Sequence, residues 1–305
     1  CTGIAAATNV QLVYANITTS TGAELFTAAS VSPTPLEASL LAGGYVNNAS
    51  FFGVVALIMG LGASLVVSDR IGVYLEPNTE FSVKTGTIAD ADGLHTASCR
   101  STTKVTKVKS TASVSQIFTN ANVSTPAGGS TIAYALTPCA VIGIPDRPIV
   151  SLAIFGTSIP IGQGDVADVS NGHLGYAERA CSSVNGFPLP FINLSRDGAQ
   201  SPTFINSNSR FALLQFVSHV LFDMGTNDVA AGTALAVLQA NCQRAWARAR
   251  LAGCNVYHAT ILPRTTGNPA TPAGQTPVAG FEVGGIADQF NAWLYTQVTA
   301  GTLDG

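Results

Sequence analysis

The chain has 305 residues, 14 Lys and Arg against 17 Asp and Glu, a net charge of −3, and 47% hydrophobic against 10% charged residues. So high a hydrophobic share excludes a disordered chain, and the length accommodates two domains of ordinary size. The slightly acidic balance and scattered basic residues argue against a nucleic-acid binder, which clusters Lys and Arg against phosphates.

Residues 1–146 carry short runs rich in Val, Thr, Ile, Phe and Tyr, separated by clusters such as SPTP (32–35), EPNT (76–79) and TPAGG (125–129). Short β-like runs between regular turn signals predict an all-β sandwich. The run FFGVVALIMGLGASLVV (51–67) is the one candidate membrane span. It falls short of the roughly 20 apolar residues a span needs, and its Gly60 and Gly62 favour two buried strands around a glycine turn. Lys104, Lys107 and Lys109 alternate with Val and Thr as the solvent face of a strand would, and His95 lies in a polar loop without a ligand set.

From about residue 147 apolar strands alternate with longer helical patterns. Strands are predicted at 149–156, 188–195, 219–225 and 255–262. The clearest helix is 233–253, where Leu235, Leu238, Cys242, Ala245, Trp246 and Ala249 recur at helical spacing and Gly253 supplies a stop. A last helix is predicted at 285–298. Near-continuous apolar strands between amphipathic helices imply a parallel sheet covered on both faces, an α/β/α sandwich over 147–305.

Six cysteines show no Cys-X-X-Cys or Cys/His spacing, which argues against structural zinc. Cys242 and Cys254 read as free buried thiols, while one or two disulfides remain open in an oxidising compartment. Cys1 is what lipoprotein processing would leave, and a fragment boundary gives the same residue. Sequons occur at Asn16, Asn48, Asn122 and Asn193, as chance produces in a chain this rich in Ser, Thr and Asn. Low charge with abundant Thr, Ser and Asn is the composition of a secreted, extracytoplasmic or virion-associated protein.

In an open parallel sheet the ligand site lies beyond the carboxyl ends of the strands. Residues Gly156-Thr157-Ser158 follow the first strand, Ser195-Arg196-Asp197-Gly198 the second and Gly225-Thr226-Asn227-Asp228 the third. A hydroxyl nucleophile, a glycine N–H and an Asn amide are the parts needed to attack an ester carbonyl and hold the resulting oxyanion.

At these residues the sequence resembles the SGNH/GDSL hydrolases, a flavodoxin-like family of serine esterases and deacylases. FGTSIPIGQGD is similar to the first family block, INLSRDGAQ to the second and MGTND to the Gly-X-Asn-Asp block. The resemblance covers about 147–305 and implies Ser158 as catalytic nucleophile. It further implies an oxyanion hole made by the backbone N–H groups of Ser158 and Gly198 and the Asn227 amide, without metal or organic cofactor. A β-rich half joined to such a domain also resembles carbohydrate esterases. Asp228 is expected to order the loop around Asn227 rather than to catalyse, and Asp165 is likewise not assigned to catalysis.

Two positions depart from the family. Thr157 stands where its Asp precedes the nucleophile, and its Asp-X-X-His, the source of the general base, is absent from residues 1–305, so the second domain is expected to lack the family's C-terminal end here. His219 and His258 lie within predicted strands, His173 in or before a helix and His95 in the other domain. Because Ser158, Gly198 and Asn227 are retained together, the chain is expected to continue past Gly305 to that Asp and His, and the expectation is an O-acyl esterase acting on a small ester or an acylated, for example O-acetylated, polysaccharide. The alternative is an inactive scaffold serving as a structural or glycan-binding protein of a virion, filament or cell surface. A homo-oligomer or particle assembly is open; nucleic acid and a membrane span are not expected.

Overall fold

A computed structural model describes residues 5–15, 34–42, 45–50, 56–59, 65–77, 81–87, 99–100, 134–135, 138–165, 175–182, 188–267 and 271–305. The expectations for His95, His173, Lys104, Lys107 and Lys109 fall outside them. Two compact units emerge, residues 1–150 with 164–192 and residues 151–163 with 193–305.

The first unit's described strands are β1 (Ala7–Ala15), β2 (Thr34–Ala42), β3 (Tyr45–Asn48), β4 (Ala56–Met59), β5 (Leu65–Val67), β6 (Ser82–Thr87), β7 (Cys99–Arg100), β8 (Tyr134–Ala135) and β9 (Ala140–Pro145). One antiparallel sheet runs β5-β1-β9; another joins β2 to β3, β4 and β6; β7 pairs with β8. Alternate residues Val10, Leu12 and Tyr14 of β1 share a core with Ala38, Leu40 and Ala42 of β2, the period-two burial of a sheet face. The Tyr14 hydroxyl bonds the Thr85 hydroxyl at 2.9 Å.

The 51–67 run does contain two strands, β4 and β5, but they join different sheets, β4 pairing with β2 and β5 with β1. Among the described residues no helix is long and apolar enough to cross a membrane. Strand β2 begins inside the SPTP cluster read as a turn, with Pro35 opposite Ile58. A strand's first residues tolerate proline because one missing N–H costs little there.

The second unit is built on parallel strands β10 (Leu152–Gly156), β12 (His219–Asp223) and β13 (Asn255–His258); the sheet order is β11-β10-β12-β13, and the unit division falls within β11 (Phe191–Asn193), before Asn193. Its helices are α1 (Ser158–Ile161), α3 (Ser201–Ile205), α4 (Asn208–Ala212), α5 (Thr226–Ala230), α6 (Leu235–Leu251) and α7 (Ile286–Thr299); α2 (Gly175–Ser182) groups with the first unit. A small hairpin, β14 (Thr265–Thr266) with β15 (Thr276–Pro277), precedes α7.

Each strand is shorter than its apolar run, for local reasons. Pro188 and Pro190 have no N–H to donate, so β11 starts at Phe191. Gly225, at φ +115°, turns the chain out of β12. A Cβ there would stand 2.7 Å from Ile261 Cδ1, the movable end of that side chain, so the conformation rather than the space demands glycine. Gly225→Ala is expected to cost about 1–3 kcal/mol, read as a lower denaturant midpoint; an unchanged midpoint would mean that the turn relaxes freely.

One sheet face carries the row Phe155, Phe222 and His258, side by side in register. Phe204 of α3, Phe211 of α4, Trp246 of α6 and Phe290 of α7 pack against this row. Right-handed crossovers explain it, since connections progressing in one direction across a sheet lay their helices on one face. Leu221 and Tyr257 on the opposite face are half-buried. Cys242 and Cys254 are buried free thiols, as expected from their apolar positions.

Asn291 of α7 fastens the segment after β13. Its Oδ1 accepts the Ile261 N–H at 2.8 Å and its Nδ2 donates to the Ile261 carbonyl at 3.0 Å. Asn291→Leu leaves both backbone groups unmatched and is expected to cost about 1–3 kcal/mol in thermal or denaturant unfolding; no loss would show that solvent replaces both bonds.

Candidate active site

The sheet order decides where a site can form. Chain progression reverses between β10 and β12, the point at which an open parallel sheet places its ligand crevice. Gly156 and Asp223, the last residues of these strands, face each other in register. Ser158 comes two residues beyond Gly156 and Asn227 four beyond Asp223, which puts both on that edge.

Ser158 opens α1 and is half-buried. A Cβ on Gly156 would overlap the Pro160 ring and approach the Asp223 carbonyl oxygen to 3.2 Å, so glycine permits this tight exit from the strand. Thr157 is buried at the helix N-cap, but its hydroxyl makes no capping bond and has no partner among the described residues. The turn into α1 is thus left without side-chain capping.

The loop after β11 is tied to this exit. Arg196 N–H donates to Gly156 O at 2.8 Å, and Asn193 Nδ2 to Pro160 O at 3.1 Å, while Asn193 Oδ1 accepts Ser195 N–H. Gly198 follows in a left-handed turn, φ +66°, and is exposed. On its other side the loop meets α5, where Asn227 Nδ2 donates to Ala199 O at 2.9 Å. The loop that carries Gly198 is therefore bonded both to the segment bearing Ser158 and to the helix bearing Asn227.

Asp228 is buried beneath this edge. Its carboxylate accepts Ser201 N–H at 3.0 and 3.1 Å and the Ser201 hydroxyl at 2.6 Å, and its own backbone N–H bonds it as well, so it ties the start of α3 to its own turn. Burial holds the carboxyl's pKa above its ordinary value, the hydrogen bonds from Ser201 offsetting only part of the rise. Asn241 of α6 donates to the Ser201 hydroxyl oxygen at 2.9 Å. Ser201 and Asn241 belong to no motif, and their contacts span 27 and 40 residues of sequence. Asp165 lies in the first unit, where it accepts the Gly175 N–H and pairs with Arg179.

The two described histidines are engaged elsewhere. His219 begins β12, at the end of the strand remote from the crevice, between Ser218 and Asn255. His258 is buried among Trp246, Phe222 and Phe290. Its Nδ1–H donates to Ala259 O, which leaves Nε2 unprotonated, 3.8 Å from Cys242 Sγ. Burial pushes its pKa down to about 4. Among the described residues no three His, Cys, Asp or Glu side chains are grouped to hold a metal ion.

The fold and its crevice are those of a parallel α/β unit with reversed strand order. Solved structures of GDSL/SGNH hydrolases are similar to about half the chain. They include a member of the lipolytic G-D-S-L family from Veillonella parvula DSM 2008, at 19% identity and TM-score 0.37 over 50% of this chain and 75% of that one. The esterase EstA from Pseudoalteromonas sp. is similar at 17% identity and TM-score 0.35, over 50% of this chain and 73% of that one. A GDSL-like lipase from Bacteroides thetaiotaomicron VPI-5482 gives 15%, 0.33, 50% and 65% in the same order. No family model and no curated protein matches the chain.

Proposed function

We propose that the second unit is a serine ester hydrolase of SGNH type. The observation that carries this reading is the strand-order reversal, with Ser158 and Asn227 following the two strands that flank it and the Gly198 loop bonded to both segments. Ser158 Oγ attacks the acyl carbon as its proton passes to a general base. The carbonyl electrons move onto oxygen, which the N–H groups of Ser158 and Gly198 and the Asn227 amide stabilise. One Asn227 amide hydrogen is committed to Ala199 O and fixes the side chain; the second is the oxyanion donor. Collapse expels the alcohol with the base's proton, and water then releases the acid from the acyl-enzyme by the same route.

The substrate class we assign is an O-acyl ester on a polysaccharide, in keeping with a low-charge chain rich in Ser, Thr and Asn and with an antiparallel first unit. We read that unit as a β-sandwich and the second as a three-layer α/β/α fold. A serine-directed phosphonate applied to the full-length native protein tests the reading, because labelling needs both an activated hydroxyl and oxyanion donors. One phosphonyl group on Ser158 is expected. A full-length protein that takes no label and cleaves no acetyl ester, yet binds glycan, would replace this reading with that of an inactive scaffold.

A further inference from the structure

The buried polar groups beneath the crevice form a directed chain. Asn241 Nδ2 donates to Ser201 Oγ at 2.9 Å, which turns the Ser201 hydroxyl hydrogen toward Asp228 Oδ1 at 2.6 Å; the Ser201 N–H adds 3.0 and 3.1 Å bonds to the same carboxylate. Ser201 is 0% and Asp228 1% exposed, so water cannot stand in for either partner. Two members of this hydrogen-bonded chain adjoin the proposed oxyanion donors in sequence: Asp228 directly follows Asn227, and Ser201 comes three residues after Gly198. A further bond joins the same two segments, from Asn227 Nδ2 to Ala199 O, next to an exposed Gly198.

We infer that Asn241, Ser201 and Asp228 are positioning residues that hold Gly198 N–H and the Asn227 amide at the spacing one oxyanion requires. This rests on the ester-hydrolase reading and adds a helix, α6, that touches no substrate. The physical reason is lever-like. Any slip of Ser201 against Asp228 moves the two donors apart by a similar distance, and displacement on the order of 1 Å at a reacting centre can cost about 10²-fold in rate. A neutral bond from Asn227 to Ala199 is too weak to resist such a slip alone. Hydrogen bonds to a buried carboxylate are stronger and shorter.

The test uses full-length native protein and the variants Ser201→Ala, Ser201→Thr and Asn241→Ala. Kinetics with a small activated acetyl ester, phosphonate labelling and thermal unfolding are measured side by side. Ser201→Ala keeps its N–H bonds to Asp228 and loses the hydroxyl. It is expected to lower kcat and the labelling rate together by about 10- to 100-fold with KM nearly unchanged. Asn241→Ala should fall in the same direction by less, and Ser201→Thr should restore most of the rate. Variants that unfold at lower temperature but keep the wild-type kcat would overturn the inference and leave a merely structural clamp. If the wild-type protein neither labels nor hydrolyses, the ester-hydrolase reading itself has failed. The geometry is then read from nuclear magnetic resonance signals of the Gly198 amide and the Asn227 side-chain amide. Shifts of both in Ser201→Ala and Asn241→Ala support positioning by the chain; unmoved signals overturn it.

Discussion

Ser158→Ala in the full-length native protein is expected to lower kcat for a small activated acetyl ester by at least about 10³-fold, with a folded, equally stable product. The methyl group cannot form the acyl-enzyme, so the two-step route closes, and only binding and the oxyanion donors remain to assist water. Ser158 is half-buried at the start of α1, a helix that no side chain caps, so its hydroxyl is expendable for the fold. Asn227→Ala provides the graded comparison. Losing one oxyanion donor costs about 10²- to 10³-fold in kcat, and this variant also loses its bond to Ala199 O and should unfold somewhat earlier. The two variants therefore separate chemistry from scaffolding: Ser158→Ala changes rate alone, Asn227→Ala changes both. Equal activity of Ser158→Ala and wild type, on protein free of contaminating esterase, would remove Ser158 from the mechanism.

What the sequence disclosed follows the range of the interactions. Local periodicity revealed the second unit: the 233–253 helix forms over Leu235–Leu251, and Gly253 adopts the left-handed φ of +86° that a stop requires. The predicted strands are present but trimmed by Pro190 and Gly225, whose effects are also local. Placement of Ser158 and Asn227 on one edge was legible because parallel strands put every following loop at the same end. Partners distant in sequence were not. The run 51–67 showed two strands, but nothing in it could show that they join separate sheets. The Asn241–Ser201–Asp228 chain has no spacing signature, since each residue alone is an ordinary polar position in a helix or turn. Asn291 was hidden for the same reason: its two bonds to Ile261 cross 30 residues.

His258 gives the second large effect, on stability rather than catalysis. Its ordinary pKa near 6.5 is pushed down to about 4 by complete burial between α6, α7 and the sheet, with the Ala259 carbonyl pulling weakly the other way. The unfolded chain therefore takes up this proton first as pH falls. The stability held by neutral His258 is complete above about pH 6.5, declines between there and about pH 4, and falls no further on this account below that. The gap between the folded and unfolded proton affinities corresponds to a loss of roughly 3 kcal/mol across the window. The structural cause is specific: protonating Nε2 places a charge against the Cys242 thiol and the rings of Trp246 and Phe290, none of which can solvate it. Denaturant unfolding at about pH 7.5, about pH 5.5 and about pH 4.2 is expected to show this decline in the wild-type protein. His258→Gln keeps a polar side chain of comparable reach but cannot titrate, so it should be less stable at the highest of these pH values and should lose less on acidification to the lowest. The carboxylates titrating in the same range are common to both proteins and cancel in the difference. Parallel stability curves for the two would show that acid destabilisation arises elsewhere and that His258 does not hold its neutral form against the unfolded chain.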